Sequence, residues 1–205
     1  NDDQRPPGDG KNGWVRAIAF LHAQSCLLTG GDDSMLKLWQ LPVFGQQAVN
    51  QSMSQPRLLW QQATTDWVHA IALSPDEKLT AAGGENKITL YDTARGRVLC
   101  QWLHDSDVQR QNSKLQNSEL QNPELQSAKS GAYQASQLTR QSAVRSLAFS
   151  PDGQRLASCG DDDVIRLWSI ERTGEAATES SASVSLIAEF VGHTDWVRTV
   201  KFSAG

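Results

Sequence analysis

Acids, hydroxyls, a histidine and aromatics recur in this chain at regular spacing. Thr29, Asp33 and Trp39 are followed by Glu85 and Tyr91, then by Ser158, Asp162 and Trp168, with His193 near the end. A serine, a histidine and an acid within reach of one another can perform nucleophilic catalysis, the acid orienting the imidazole that takes the serine proton. Repetition speaks against that use. The same residue types return in successive copies of one pattern, which points to architecture rather than to one active site. Other chemistries find less support. Gly30-Gly31 and Gly83-Gly84 lack the Lys-Ser/Thr of a phosphate loop. There is no HExxH and no clustered carboxylate pair, and His22, His69, His104 and His193 show no ligand spacing. No metal or cofactor is expected, and no enzyme. Cys26, Cys100 and Cys159 are odd in number and form no CxxC, which fits reduced thiols packed in a cytosol-like compartment.

The elements that carry these residues repeat. Trp14–Phe20, Leu27–Asp33 and Leu36–Trp39 align with Trp67–Leu73, Leu79–Glu85 and Ile88–Asp92. They align again with Ala143–Phe149, Leu156–Asp162 and Ile165–Trp168, and a fourth copy begins at Gly192–Phe202. The first run of each copy is almost continuously apolar, as in a strand buried on both faces. Ser-Pro-Asp supplies a tight turn. Gly31, Gly83 and Gly160 occupy one place in this alignment, where a second backbone can come close. Looser fourth strands follow at Arg57–Gln62, Arg97–Leu103 and Leu186–Val191. Four short strands per unit, repeated, predict propeller blades. The 205 residues are 39% apolar and 20% charged with a net charge of −4. No run of 18 apolar residues exists to span a membrane as a helix, and no basic stripe exists to hold nucleic acid. No secretory h-region precedes Gly13.

These residues resemble the WD40-repeat family. Leu38-Trp39, Tyr91-Asp92, Leu167-Trp168, the Ser-Pro-Asp turns and Gly192-His193 with Val197 carry the resemblance across most of residues 10–103 and 139–205. It implies an all-β fold, a WD40-type β-propeller forming a partial ring of three four-stranded antiparallel blades plus the start of a fourth. The blades are expected at about 10–62, 63–103 and 139–191, with a low-complexity insert at about 104–138 and a fourth blade starting over 192–205. The resemblance also implies a buried network in each blade of a histidine, a Ser or Thr, a turn acid and an aromatic. Thr29, Asp33, Trp39, Glu85, Tyr91, Ser158, Asp162, Trp168 and His193 would fill those roles. Ala81 takes the hydroxyl's place in the second blade, and Lys11, Thr64 and Arg140 take the histidine's place in the three complete units. No blade is therefore expected to hold the whole network.

Family geometry places a second set at the narrow top of the ring: Trp14, Arg16, Asp32, Trp67, His69, Arg145, Asp161, Trp196 and Arg198, with Gly84 at the Asp32 position of the second blade. Trp and Arg are enriched at binding hot spots, so this rim is the expected surface for other proteins or peptides. The alternative is that Trp and Arg stack on neighbours and join blades. First-strand spacings of 53, 76 and 53 residues exceed the ~40–45 of a plain blade, so every unit carries an insert. Residues 42–56 and 171–185 are two of these. The third contains a five-residue repeat from Asn112 to Gln126 and reads as a polar loop. Three blades cannot close a ring, so the remaining blades of the same propeller, in cis or in trans, are expected partners, and the chain is expected to be a fragment. The implied function is a cytoplasmic, non-catalytic scaffold. Alternatives are the sensor portion of a larger signalling protein and, less favoured, a propeller enzyme.

Overall fold

The computed structural model describes residues 13–42, 55–105, 142–173 and 181–203. Lys11, Arg140 and the five-residue repeat lie outside them. Twelve strands are described: β1 (Val15–Leu21), β2 (Cys26–Gly31), β3 (Met35–Gln40), β4 (Arg57–Ala63), β5 (Ala70–Leu73), β6 (Leu79–Gly83), β7 (Lys87–Asp92), β8 (Arg97–Leu103), β9 (Val144–Phe149), β10 (Arg155–Gly160), β11 (Val164–Thr173) and β12 (Ser181–Val191). Each consecutive four form one antiparallel sheet in sequence order, giving three blades. The all-β expectation and the four-stranded units are thus met.

Burial explains the order. Every residue of β6, a second strand with a blade on each face, is buried, and so is β10 beyond Arg155, with the second blade on one face and residues 192–203 packed against its blade. One core lies between the first and second blades, joining Leu21, Leu28, Leu36 and Leu38 to Val68 and Tyr91. The other joins Ile88 and Leu90 of the second blade to Val144, Leu147, Leu156 and Trp168 of the third. β5 packs between β1 and β9, so the first strands form the inner edge.

A repeating hydrogen bond fixes how successive blades sit. Val68 N donates to Gly31 O at 3.1 Å, Val144 N to Gly84 O at 2.9 Å, and Val197 N to Gly160 O at 3.0 Å. A Cβ on Gly31, Gly84 or Gly160 would lie 2.0, 2.8 or 2.2 Å from the carbonyl oxygen of Trp14, Trp67 or Ala143. Gly84, not Gly83, is therefore the counterpart of Gly31 and Gly160. The strand register agrees. Trp39 faces Leu27, Trp168 faces Leu156, and Tyr91 faces Thr80 rather than Leu79.

The cause is a shorter turn. Two residues, Glu85 and Asn86, link Gly84 to Lys87, whereas Asp32, Asp33 and Ser34 link Gly31 to Met35. Asn86 adopts the positive φ that Ser34 and Asp163 adopt in the other blades, so the missing residue is the turn acid itself.

Two further expectations change. Residues 171–185 are not wholly an insert, because Glu171 pairs with Ser183 and Thr173 with Ser181, which lengthens β11 and β12 into a projecting hairpin. Residues 192–203 form no strand, yet buried Val197 anchors them on the third blade.

Candidate functional site

The first strands and the hairpins behind them bring one basic side chain and one carboxylate together in each of the three blades. Arg16 grips Asp32 with two donors, Nη2 standing 3.1 Å from Oδ2. Arg145 grips Asp161 in the same bidentate way, at 2.7 Å through Nε and 2.6 Å through Nη2. In the second blade His69 Nε2 meets Glu85 Oε1 at 2.9 Å. The partners are 16 residues apart each time. Glu85 is thus the rim carboxylate of its blade, and the expectation that it is the network acid, with Gly84 at the rim, is corrected by the shortened turn.

These clamps are linked across blades. Hydrogen bonding from Arg16 holds the Asp32 carboxyl below its ordinary value, and the charge of His69 on the next blade adds to this. Hydrogen bonding to Asp161 raises the Arg145 guanidinium, and Glu85 contributes to that from the blade before. Each arginine also lies over an indole. Arg16 sits 5.7 Å from the Trp14 ring and 5.3 Å from Trp67, which belongs to the next blade. Arg145 and Arg198 both stand 5.5 Å from Trp196. His69 meets Trp67 edge-on at 6.1 Å. The indoles stay open to solvent, with Trp14 at 72%, Trp67 at 47% and Trp196 at 50% exposure. The rim cations therefore join blades, as the packing alternative supposes, and the same contacts hold the exposed tryptophans in place.

The buried network is complete in one blade. Trp168 Nε1 donates to Ser158 Oγ at 2.7 Å. Ser158 Oγ lies 3.0 Å from His104 Nδ1, and His104 Nε2 lies 3.2 Å from Asp162 Oδ1. The Asp162 carboxylate can only accept from His104 Nε2, while Ser158 Oγ, already accepting from Trp168, also meets Nδ1. Arg166, buried with 4% of its side chain exposed, bonds Asp162 and donates Nε to Glu189 Oε1 at 2.9 Å. Burial works against the Asp162 charge, but His104 and Arg166 overcome it and hold the carboxyl at about 2. The expectation that the third blade lacks its histidine is overturned. His104 directly follows β8, 36 positions ahead of Arg140, where the repeat spacing puts it.

The first blade carries part of the same arrangement. Trp39 Nε1 donates to Thr29 Oγ1 at 3.0 Å, and Lys37 pairs with Asp33 as Arg166 does with Asp162. The second blade has none of it. Ala82, rather than Ala81, stands where Thr29 and Ser158 do, since it pairs with Thr89 as Ser158 pairs with Arg166. Thr64 stands where His104 does, because Thr64 N donates to Ser34 O and His104 N to Asn86 O. Tyr91 is buried, and His193 is exposed. Ser158 and His104 have no exposed surface, so the acid, base and hydroxyl act as a staple between the second and third blades, closed to any substrate. Among the described residues no cluster of His, Cys, Asp and Glu could hold a metal ion.

Residues 7–40 and 133–169 match the family described as WD domain, G-beta repeat. Human Striatin-4 is 30% identical over 160 residues, covering 75% of this chain and 17% of its own length. Mouse Striatin-4 is 28% identical over 166 residues, covering 78% of this chain and 18% of its own length. The chain thus spans less than a fifth of the curated relatives it matches. The solved RRP9 WD40 repeats superpose with a TM-score of 0.57 at 16% identity, over 94% of this chain and 43% of that one. A chain of the Mitotic Checkpoint Complex gives 0.56 at 17% identity, over 92% of this chain and 43% of that one. These solved structures share the fold.

Proposed function

The chain belongs to the WD40-repeat family, and from that premise we propose that it is a non-catalytic scaffold that binds other proteins or peptides on the rim of its first strands. The observation that carries the reading is the set of exposed indoles at Trp14, Trp67 and Trp196, each braced by a guanidinium that is itself held by a carboxylate in its own blade or shared with such a pair. Rigid aromatic surface is what a partner can use at little entropic cost. Family membership supports the scaffold role, and the complete burial of Ser158 and His104 supports the absence of catalysis. Exposed Ile18 and Phe20 on β1 support further blades as a second class of partner. Three unpaired thiols, Cys26, Cys100 and Cys159, support a reducing, cytoplasmic setting.

The test places a photo-crosslinking residue at Trp67 or, as control, at exposed Arg155, where β10 begins at the opposite end of the sheet. A protein trapped from Trp67 and not from Arg155 is then assayed with Trp67→Ala. The expected loss is about 30-fold in affinity, corresponding to ~2 kcal/mol for a hot-spot tryptophan, with circular dichroism unchanged. Unfolding of both Trp67→Ala and Arg145→Glu would assign these residues to packing instead.

A further inference from the structure

The three rim clamps share one frame but not one chemistry. Asp32 gives both carboxylate oxygens to the Arg16 guanidinium, and Asp161 gives both of its own to Arg145. Glu85 gives only Oε1, to the imidazole of His69. The two ring nitrogens of an imidazole diverge, so it serves one carboxylate oxygen where a guanidinium presents a planar fork of donors to both. Among the described residues nothing donates to Glu85 Oε2. The Glu85 side chain is also the most open of the three carboxylates, at 25% exposure against 16% for Asp32 and 15% for Asp161. One rim carboxylate is thus half used, beside two that show what a filled one looks like.

The surroundings of Oε2 decide the guest. An antiparallel bridge from Glu85 to Ala143 holds the carboxylate at the seam between the second and third blades. His69 joins it to Trp67, whose exposed ring lies edge-on to the imidazole. A carboxylate and an indole are what each clamped rim arginine already uses. Arg145 pairs with Asp161 and stands 5.5 Å from Trp196, while Arg16 pairs with Asp32 and stands 5.3 Å from Trp67. Arg145 and Glu85 feel each other's charge, but Arg145 and Arg16 are each neutralised by a carboxylate of their own blade and leave Oε2 unserved. The net charge of −4 favours a cationic guest over an anionic one.

We propose that Glu85 Oε2 and the exposed Trp67 indole form a docking site for the guanidinium of an arginine side chain on a partner peptide. The inference rests on the rim reading and names what the partner presents there: the group that the other two blades supply for themselves. Lysine, a point charge without the planar fork, suits the site less well.

The test titrates the 205-residue chain with N-acetyl-arginine methylamide, followed by NMR shifts at the Trp67 indole N–H and the Glu85 amide. Saturable binding with a dissociation constant on the order of 10 mM is expected for one exposed pair and a stacked indole. The lysine analogue is expected to bind more weakly, and the neutral citrulline analogue not to saturate. Glu85→Gln removes the charge and turns one acceptor oxygen into a donor, and is expected to weaken arginine binding about fivefold or more. His69→Arg supplies the guanidinium from within, as Arg16 and Arg145 do, and is expected to abolish binding; it serves as the test should Glu85→Gln fail to fold. Lysine or citrulline binding as tightly as arginine, no saturation by ~100 mM, or unchanged binding in both variants would each overturn the proposal. A protein trapped at Trp67 whose affinity is unchanged by Glu85→Gln would overturn it while leaving the rim reading intact. Arginine binding that Glu85→Gln weakens, with no protein trapped at Trp67, would support the site and count against the rim reading.

Discussion

Asp162→Asn tests the staple most directly, because asparagine keeps the shape while removing the charge and turning one of the two acceptor oxygens into a donor. Asp162 has 9% of its side chain exposed, and His104 and Arg166 hold its carboxyl at about 2 against an ordinary 3.8. At about 1.36 kcal/mol per pH unit, that gap is worth about 2 kcal/mol of folding stability, or about 1–2 after screening at its exposed edge. A depressed carboxyl contributes fully above its unfolded value and loses that contribution as pH falls toward the folded one. The variant should therefore lie about 1–2 kcal/mol below the parent in urea titrations at pH 5 to 7. The difference should narrow from pH 4 and close near pH 2, where the parent acid is itself protonated. A deficit under about 0.5 kcal/mol at pH 7 would refute the reasoning, as would one that persists undiminished at pH 2, because shape rather than charge would then be responsible.

Gly31→Ala should lower stability by about 2 kcal/mol or more, since its Cβ would meet the Trp14 carbonyl at 2.0 Å, while Gly192→Ala, with nothing within 4 Å, should leave the melting temperature unchanged. Ser158→Ala strips the partner from Trp168 Nε1 and His104 Nδ1 and should cost about 1–3 kcal/mol by urea denaturation, whereas Ala82→Ser, which adds a buried hydroxyl with no histidine or acid to meet, should give no gain in stability. Burial pushes the Cys159 thiol up to about 11, so a disulfide reagent at pH 8 should label it only in urea, and rapid labelling of the folded chain would contradict its packing role.

Most of the fold was legible because the repeat is local. Each copy keeps an apolar first strand and small residues in the second, and two copies keep the Ser-Pro-Asp turn, and these dictate four-stranded units without any long-range information. The site was legible only in part. Arg16, Asp32, Arg145 and Asp161 fall where the repeat puts them and meet their partners there. His104 does not, because residues 106–141 separate it from Ala143 and spacing counted back from the strand lands inside them. The signal was present in His104-Asp105 directly after a fourth strand, much as His193 follows one. The second blade misled through Leu79, which reads like Leu156. The turns before them are equally long, since Ser74 N donates to Leu79 O and Ser150 N to Arg155 O. An ungapped reading from Ser74 sets Ala82 against Ser158 and Glu85 against Asp161, and moves the gap into the hairpin.

That gap explains why the second blade can differ from its neighbours without falling apart. Deleting the turn acid removes the group that a histidine and a cation would serve, so a histidine at 64 or an arginine at 89 would have been a buried donor without its acceptor, a cost that small neutral residues avoid. The rim carboxylate, one residue earlier, is untouched, and the His69–Glu85 clamp keeps the separation of the other two. Cohesion comes from outside the blade. Ile88 and Leu90 pack into the third blade's core and Val68 and Tyr91 into the first blade's, while the complete staple of His104, Ser158 and Asp162 ties its outer strand to the third blade. Held from both sides, the second blade loses little by giving up its own polar network, and the space so released is a pocket beside Thr89 and Tyr91.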